Sequence, residues 1–363
     1  MRRPSAPVWR ARRRASAVGE LRLDDFDYAL PPGQIAQQPA PEREAARLLV
    51  LDRASAGLQH QRVSDLAGQL RPGDLLVVNA TRVVPARLRG EKASGGRAEA
   101  LVLGPLPGRP GAWRALLRCR GRLRPGTKLR FGAGDRAFDA ELAEVRAHGE
   151  VVLALAPEVS PYRAGETPLP PYIRRAAPED ADAERYQTVF ARVAGAVAAP
   201  TAGLHLGRGL LERLQRAGVE RAELVLHVGP GTFRPLGPAE LAAGRLHAEP
   251  FELPEATAEA VERTRARGGR VVAVGTTSAR VLESCATGGG CVRSARGETD
   301  LFLRPGRPFA VVDALLTNFH LPRSSLLVLV AAFAGRERVL AAYADAVRLG
   351  YRFYSYGDAM LIL

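Results

Sequence analysis

Apolar residues along this chain fall into two regimes. Between about residues 74 and 155 they come as short runs, contiguous or alternating with polar residues. The runs are 75–78, 98–103, 113–117, 128–131, 138–145 and 151–155. Pro72-Gly73, Gly95-Gly96, Pro125-Gly126 and residues 132–135 punctuate them. Period-two alternation marks half-buried strands, and six short strands in succession predict a small barrel.

Past residue 156 the pattern changes. Pro157, Pro161, Pro168, Pro170 and Pro171 mark a linker. Helical spacing over 209–217, 255–267, 278–286, 326–334 and 337–349 then alternates with apolar runs at 222–228, 271–275 and 309–316. Such alternation predicts an α/β unit. Leu48-Leu-Val-Leu51 adds one short buried strand. The expected fold class is α/β: a larger α/β domain, formed by residues 21–73 and 156–363, with a small all-β barrel domain, 74–155, inserted in it. Residues 1–20 read as a disordered basic extension.

Polar groups gather where apolar runs end. The run 309–316 leads into Thr317, Asn318 and His320, and Ser324 and Ser325 stand ready to cap the helix that follows. Gly275, Thr276, Thr277 and Ser278 open a helix straight after a strand. Their N–H and hydroxyl groups suit a carboxylate, a phosphate or a ribose hydroxyl. Arg280, one turn further in, has either an anionic ligand or Glu283 as its partner. His227 ends a strand before Gly229, Gly231 and Thr232, where two glycines let backbone approach a ligand closely. Thr201 and His205 enter a helix in the same manner. His247 with Glu249, and Glu298 with Asp300, add possible acid–base or sugar-binding groups. No histidine pair shows HxxxH or HExxH spacing, and Cys119, Cys285 and Cys291 form no CxxC, so no metal site is expected.

Charge adds a partner. Lys and Arg number 52 against 38 Asp and Glu, a net +14, and six of those fourteen charges fall in residues 1–22. A surplus remains on the folded body, which suits a polyanion such as tRNA. No apolar run reaches the ~18 residues of a membrane span. The N-terminal segment lacks the apolar stretch of a secretory signal. The expected compartment is a reducing cytoplasm.

A dozen ordered motifs then coincide. They include DFDYALP (25–31), GDLLVVNATRVVPARL (73–88), PLPPYI (168–173), ERYQTVFA (184–191) and GAVAAPTAGLH (195–205). LHVGPGTFRP (226–235), VGTTSARVLES (274–284), GETDLF (297–302), VDALLTNFHLPRS (312–324) and YRFYSYGDAML (351–361) follow. In this order they resemble the S-adenosylmethionine:tRNA ribosyltransferase-isomerase family of queuosine biosynthesis, from about Leu23 to Leu363. The chain departs from the family pattern at Ala80, Leu206-Gly207, Pro230, Gly244 and Leu246.

The resemblance implies transfer and isomerisation of the ribosyl unit of S-adenosylmethionine onto 7-aminomethyl-7-deazaguanine at the wobble position of tRNA. Epoxyqueuosine-tRNA forms, and adenine and methionine leave. S-adenosylmethionine is consumed as a substrate, with no cofactor, and a monomer is expected. Catalytic candidates are His205, His227, His320, Asp313 and Glu298. Substrate-binding candidates are Thr201, Gly229, Gly231, Thr232, Gly275, Thr276, Thr277, Arg280, Thr317, Asn318, Arg82 and Arg87. Arg82, Arg87, Arg89, Lys92 and Arg97 of the small barrel, with basic residues of the larger domain, form the expected tRNA footprint.

Overall fold

The computed structural model describes residues 21–175, 179–233 and 237–363. The predicted basic extension, residues 1–20, lies outside the described residues.

In chain order, strands β1 (Arg47–Leu51), β2 (Leu58–Arg62) and β3 (Leu75–Asn79) are followed by the short β4 (Thr81–Val83). Strands β5 (Arg87–Lys92), β6 (Arg97–Pro105), β7 (Ala112–Cys119), β8 (Lys128–Phe131), β9 (Phe138–Val145) and β10 (Glu150–Ala154) come next. After the linker come α1 (Asp180–Arg185), β11 (Val193–Ala196), α2 (Arg208–Arg216), β12 (Glu220–Leu226), α3 (Pro238–Ala243), β13 (Arg245–Leu253), α4 (Glu255–Ala266), β14 (Val271–Val274) and α5 (Gly275–Ser284). A small hairpin, β15 (Ala286–Gly288) and β16 (Cys291–Val292), precedes β17 (Ala295–Leu301), β18 (Ala314–Asn318), α6 (Ser325–Ala334), α7 (Arg336–Arg348) and β19 (Ala359–Ile362).

Nine strands form one sheet in the order β17-β13-β12-β3-β14-β18-β19-β1-β2. Its centre, β12-β3-β14-β18, is parallel throughout. A sheet covered on both faces needs apolar side chains on both, so its strands read as unbroken apolar runs. Leu75 and Val77 pack into the core beneath α4 to α7, while Leu76 and Val78 pack with Leu210 and Leu214 of α2. Ser324 caps α6 as expected, its Oγ accepting the Leu327 N–H at 3.2 Å.

Six strands close an antiparallel barrel in the order β10-β7-β6-β5-β8-β9. Alternation along β6 puts Ala98, Ala100 and Val102 inside and Arg97 and Glu99 outside. The fold is thus α/β with an inserted small barrel. One element departs from expectation. The run 75–78 is not a barrel strand but β3, at the middle of the large sheet between β12 and β14. A short apolar run bounded by turns looks alike in either setting. The barrel starts only at Arg87, after β4 has paired in parallel with β11.

Candidate functional site

Parallel strands that share a sheet end on the same edge, and ligands bind in the crevice outside their carboxyl ends. Here β12, β3, β14 and β18 end at Leu226, Asn79, Val274 and Asn318. The polar groups that follow each run are therefore brought together by topology. A cleft opens there, at the edge where ligands of such sheets bind. Thr201, Gly275, Thr276, Thr277, Thr317, Asn318 and His320 all line it.

Asn79 ties three of the strand ends. Its Nδ2 donates to the Leu226 carbonyl at 2.9 Å and to Thr277 Oγ1 at 3.2 Å. Its Oδ1 accepts the N–H groups of Leu226 and Thr81, both at 3.1 Å. Thr81 Oγ1 in turn lies 2.8 Å from His227 Nδ1. A Cβ on Gly195 would come within 2.7 Å of the His227 ring. Glycine there lets β11 pass the imidazole. Burial lowers the pKa of His227 against the raising effect of Glu252, so the ring is neutral at pH 7.

Asn318 braces the opposite wall. Its amide donates to His205 Nε2 and to the Tyr354 carbonyl, both at 3.0 Å, and accepts from Thr201 Oγ1 at 3.0 Å. His205 is buried, and desolvation lowers its pKa to about 4. His320 is buried too, pushed down to about 3 by the same cause. Its Nε2 lies 2.9 Å from Thr317 Oγ1 and its N–H donates to Tyr343 Oη at 3.1 Å. Both rings are neutral.

Helix α5 starts at the cleft floor with Gly275 at φ +86, a conformation that favours glycine. No side chain caps this helix, so its first N–H groups keep their affinity for an anion. Ser278 turns inward and donates to the Val274 carbonyl at 2.8 Å.

Several expected site residues lie elsewhere. Asp313 opens β18 at the end away from the cleft, roughly 16 Å along a five-residue strand. Its carboxylate bonds Arg265 at 2.6 Å and the Val271 N–H at 2.7 Å. Glu298 is exposed on β17. Arg280 meets neither an open ligand site nor Glu283. It is buried in an ion pair with Glu249, and it donates to the carbonyls of Leu301 and Thr299 at 3.1 Å each. Glu283 instead accepts three N–H groups, from Ala310, Val311 and Val312. Glu249 also holds the Gly229 N–H at 2.8 Å. Gly231 faces His247, whose Cδ2 a Cβ would approach to 2.7 Å. Thr232 lies on the short turn Pro230–Phe233, and its side chain falls outside the described residues. Arg82 is exposed on β4. Arg87 joins the barrel to the linker, reaching the Leu169 carbonyl at 3.0 Å and Glu99 at 3.3 Å.

The cleft also contains residues that sequence reasoning did not single out. Tyr172, Tyr354 and Ser355 line it. Asn79 and Thr81 do not line it but brace Thr277 and His227; they stood inside the 73–88 motif, which was the available signal. Gly244, one of the departures, ends α3 at φ 62, a left-handed cap that glycine adopts without strain. Among the described residues, no group of three or more His, Cys, Asp or Glu could hold a metal ion. No helix among them is long and apolar enough to cross a membrane.

Known proteins share this chain's pattern. The model of a family described as queuosine biosynthesis protein matches residues 23–362. An S-adenosylmethionine:tRNA ribosyltransferase-isomerase of Anaeromyxobacter sp. (strain K) is 52% identical over 349 residues, 94% of this chain and 99% of the relative. One from Gloeobacter violaceus is 53% identical over 346 residues, 94% of this chain and 95% of the relative. The crystal structure of an S-adenosylmethionine tRNA ribosyltransferase from Thermotoga maritima matches with a TM-score of 0.54 and 37% identity, covering 93% of this chain and all of that one.

Proposed function

The chain belongs to the queuosine biosynthesis protein family, and we propose that it transfers and isomerises the ribosyl unit of S-adenosylmethionine onto a 7-aminomethyl-7-deazaguanine base of tRNA. The observation that carries this reading is the convergence at one cleft of residues from separate motifs of the resemblance, Thr201, Val228, Thr276 and Asn318 among them. S-adenosylmethionine is consumed as a substrate with no further cofactor, by a monomer in the cytoplasm.

The chemistry sets four demands. The sulfonium acidifies the ribose C5′ hydrogens, so a neutral base must stand near them. The aminomethyl group must be neutral to attack. Adenine needs a proton or hydrogen-bond donor as it leaves. The carboxylate of the methionyl end needs a site, which the uncapped start of α5 offers. Thr201, Thr276, Thr277 and Thr317 supply hydroxyls for ribose and carboxylate. His227, which adjoins the cleft-lining Val228 without itself lining the cleft, is the candidate for proton exchange. It is neutral, only half-buried, and its Nδ1 is fixed by Thr81. His205 and His320 sit too deep to gain a proton near pH 7, and they hold Asn318 and Thr317 in place.

The tRNA footprint shifts from the expected one. Arg87 and Arg89 are engaged by Glu99 and Glu166. Arg97 is exposed at the start of β6, Arg118 near the end of β7, and the β7–β8 connection adds exposed Arg120, Arg122 and Arg124. Lys92 bonds the Arg120 carbonyl and ties that connection to β5. This basic rim lies roughly 17 Å along β5 from the Arg87–Glu166 junction. None of these residues lines the cleft, so the rim is assigned to phosphates of an RNA stem and not to the modified base.

One assay tests the reaction. The chain is incubated with S-adenosylmethionine and tRNA bearing the deazaguanine precursor, and small products are followed. Adenine plus methionine is the expected outcome. S-adenosylhomocysteine means methyl transfer, and neither product means a tRNA-binding protein without this activity. Either result rejects the proposal.

A further inference from the structure

The cleft is electrically one-sided. No Asp, Glu, Lys or Arg is among the described residues that line it. Its floor is the start of α5, whose partial positive charge attracts an anion and repels a cation. S-adenosylmethionine carries both signs, a carboxylate at one end and a sulfonium at the centre. With the carboxylate on α5, the sulfonium has no carboxylate to meet. What remains on the walls is hydroxyls, aliphatic groups and aromatic rings.

Two of those rings are placed with unusual care. Tyr354 is a non-glycine residue at φ +74, a conformation held only where surrounding bonds impose it. Three hydrogen bonds to its backbone groups do so. Its N–H donates to the Phe319 carbonyl at 3.1 Å, and its carbonyl accepts from Asn318 Nδ2 and from the Gly357 N–H, both at 3.0 Å. The residue is thus fastened to the end of β18, in the wall of the cleft. Its ring meets that of Tyr172 edge to face. The Tyr172 hydroxyl bonds Ser355 Oγ, which fixes the second ring. Both tyrosines are only partly buried and both line the cleft.

We propose that the aromatic wall of Tyr172 and Tyr354 recognises the sulfonium cation of S-adenosylmethionine and thereby separates this substrate from neutral thioether analogues. The inference rests on the reading that this cleft holds S-adenosylmethionine. A ring face attracts a cation within ~6 Å of its centroid, and more strongly when the site is dry. A thioether of the same shape forgoes that attraction. The wall also suits the chemistry: a neutral π surface stabilises the sulfonium without offering a carboxylate to neutralise it, so the adjacent carbon keeps its acidity.

The test is isothermal titration of the full chain with S-adenosylmethionine and with S-adenosylhomocysteine. The wild type is expected to prefer the sulfonium ligand by about tenfold, the scale of one well-placed cation–π contact. Tyr354→Leu should bring the two affinities to within about twofold of each other, chiefly by weakening the sulfonium ligand. Tyr354→Phe keeps the ring and should keep the preference. Tyr172→Leu gives the same reading from another segment if Tyr354→Leu fails to fold. An unchanged ratio in a folded Leu variant overturns the proposal, and so does a wild-type ratio near one. Binding of neither ligand by the wild type, tRNA present, would instead remove the premise that this cleft is the substrate site.

Discussion

Thr81 Oγ1 lies 2.8 Å from His227 Nδ1, joining the first residue of β4 to the residue just beyond β12. Thr81 is buried and its N–H is held by Asn79, so its hydroxyl has little freedom. A bond at Nδ1 fixes the orientation of an imidazole and leaves Nε2 for proton exchange. Thr81 is in this sense a positioning residue for His227.

Removing that hydroxyl should cost turnover more than binding. Thr81→Val is expected to lower the rate of adenine release by roughly tenfold, the scale of one lost hydrogen bond. The Kd for S-adenosylmethionine should stay within about twofold. Thr81→Ser should restore most of the rate. The acid limb of the pH–rate profile should also move in the valine variant, because the titrating ring has lost a partner. A valine variant with wild-type rate and profile would show that Thr81 only fills space.

The two deeply buried histidines make an acid-sensitive fold. Both pKa values are lowered from 6.5, to about 4 for His205 and about 3 for His320, by desolvation. In the unfolded chain each ring takes up a proton as pH falls below 6.5, while in the folded chain it stays neutral. Stability is therefore full above pH 6.5 and declines as pH falls toward 4. Each histidine adds up to about 1.4 kcal/mol of loss per pH unit. Urea midpoints between pH 7 and pH 4 check this. His205→Asn and His320→Gln should each flatten the decline by about one proton, and equal slopes in all three proteins would contradict it.

The cleft was legible in the sequence to the extent that strand direction is. An apolar run ending in polar residues marks the carboxyl end of a strand, and Thr276, Thr317, Asn318 and His320 were found that way. Asp313 was misplaced for the same reason turned round. It precedes β18 instead of following it, so it sits on the far edge of the sheet. Arg280 looked like an anion binder because one turn of helix separates it from the α5 start. Only β13 and β17, neither strongly patterned, supply the Glu249 and the carbonyls that occupy it. The rings of Tyr172 and Tyr354 are 182 residues apart in sequence. Their meeting depends on the linker crossing the sheet edge, which no local pattern encodes.

Arg280 offers a clean distinction between structure and substrate binding. Removing one partner of a buried ion pair leaves the other charge uncompensated, at a cost of about 3–5 kcal/mol. Arg280→Met should therefore lower the urea midpoint sharply through the stranded Glu249 carboxylate. The double variant Arg280→Met with Glu249→Leu should recover part of it. In the folded fraction of the single variant, S-adenosylmethionine should bind within a few-fold of wild type. A stable Arg280→Met protein with a large loss of ligand affinity would return Arg280 to the cleft.

The basic rim predicts a salt signature. Each phosphate neutralised by a cation releases counterions, so the logarithm of the tRNA affinity falls linearly with the logarithm of salt. Arg120, Arg122 and Arg124 stand at alternate positions of an exposed connection, and no described carboxylate pairs with them. Replacing all three with Gln should reduce the magnitude of the slope by roughly two, since each phosphate contact contributes ~0.7–0.9. Affinity for tRNA should drop at low salt, while the Kd for S-adenosylmethionine stays unchanged because none of the three lines the cleft. Deleting residues 1–20 in a parallel arm should leave turnover largely intact. An unaltered slope in the triple variant would move the RNA to another face, with Arg82 the next residue to replace.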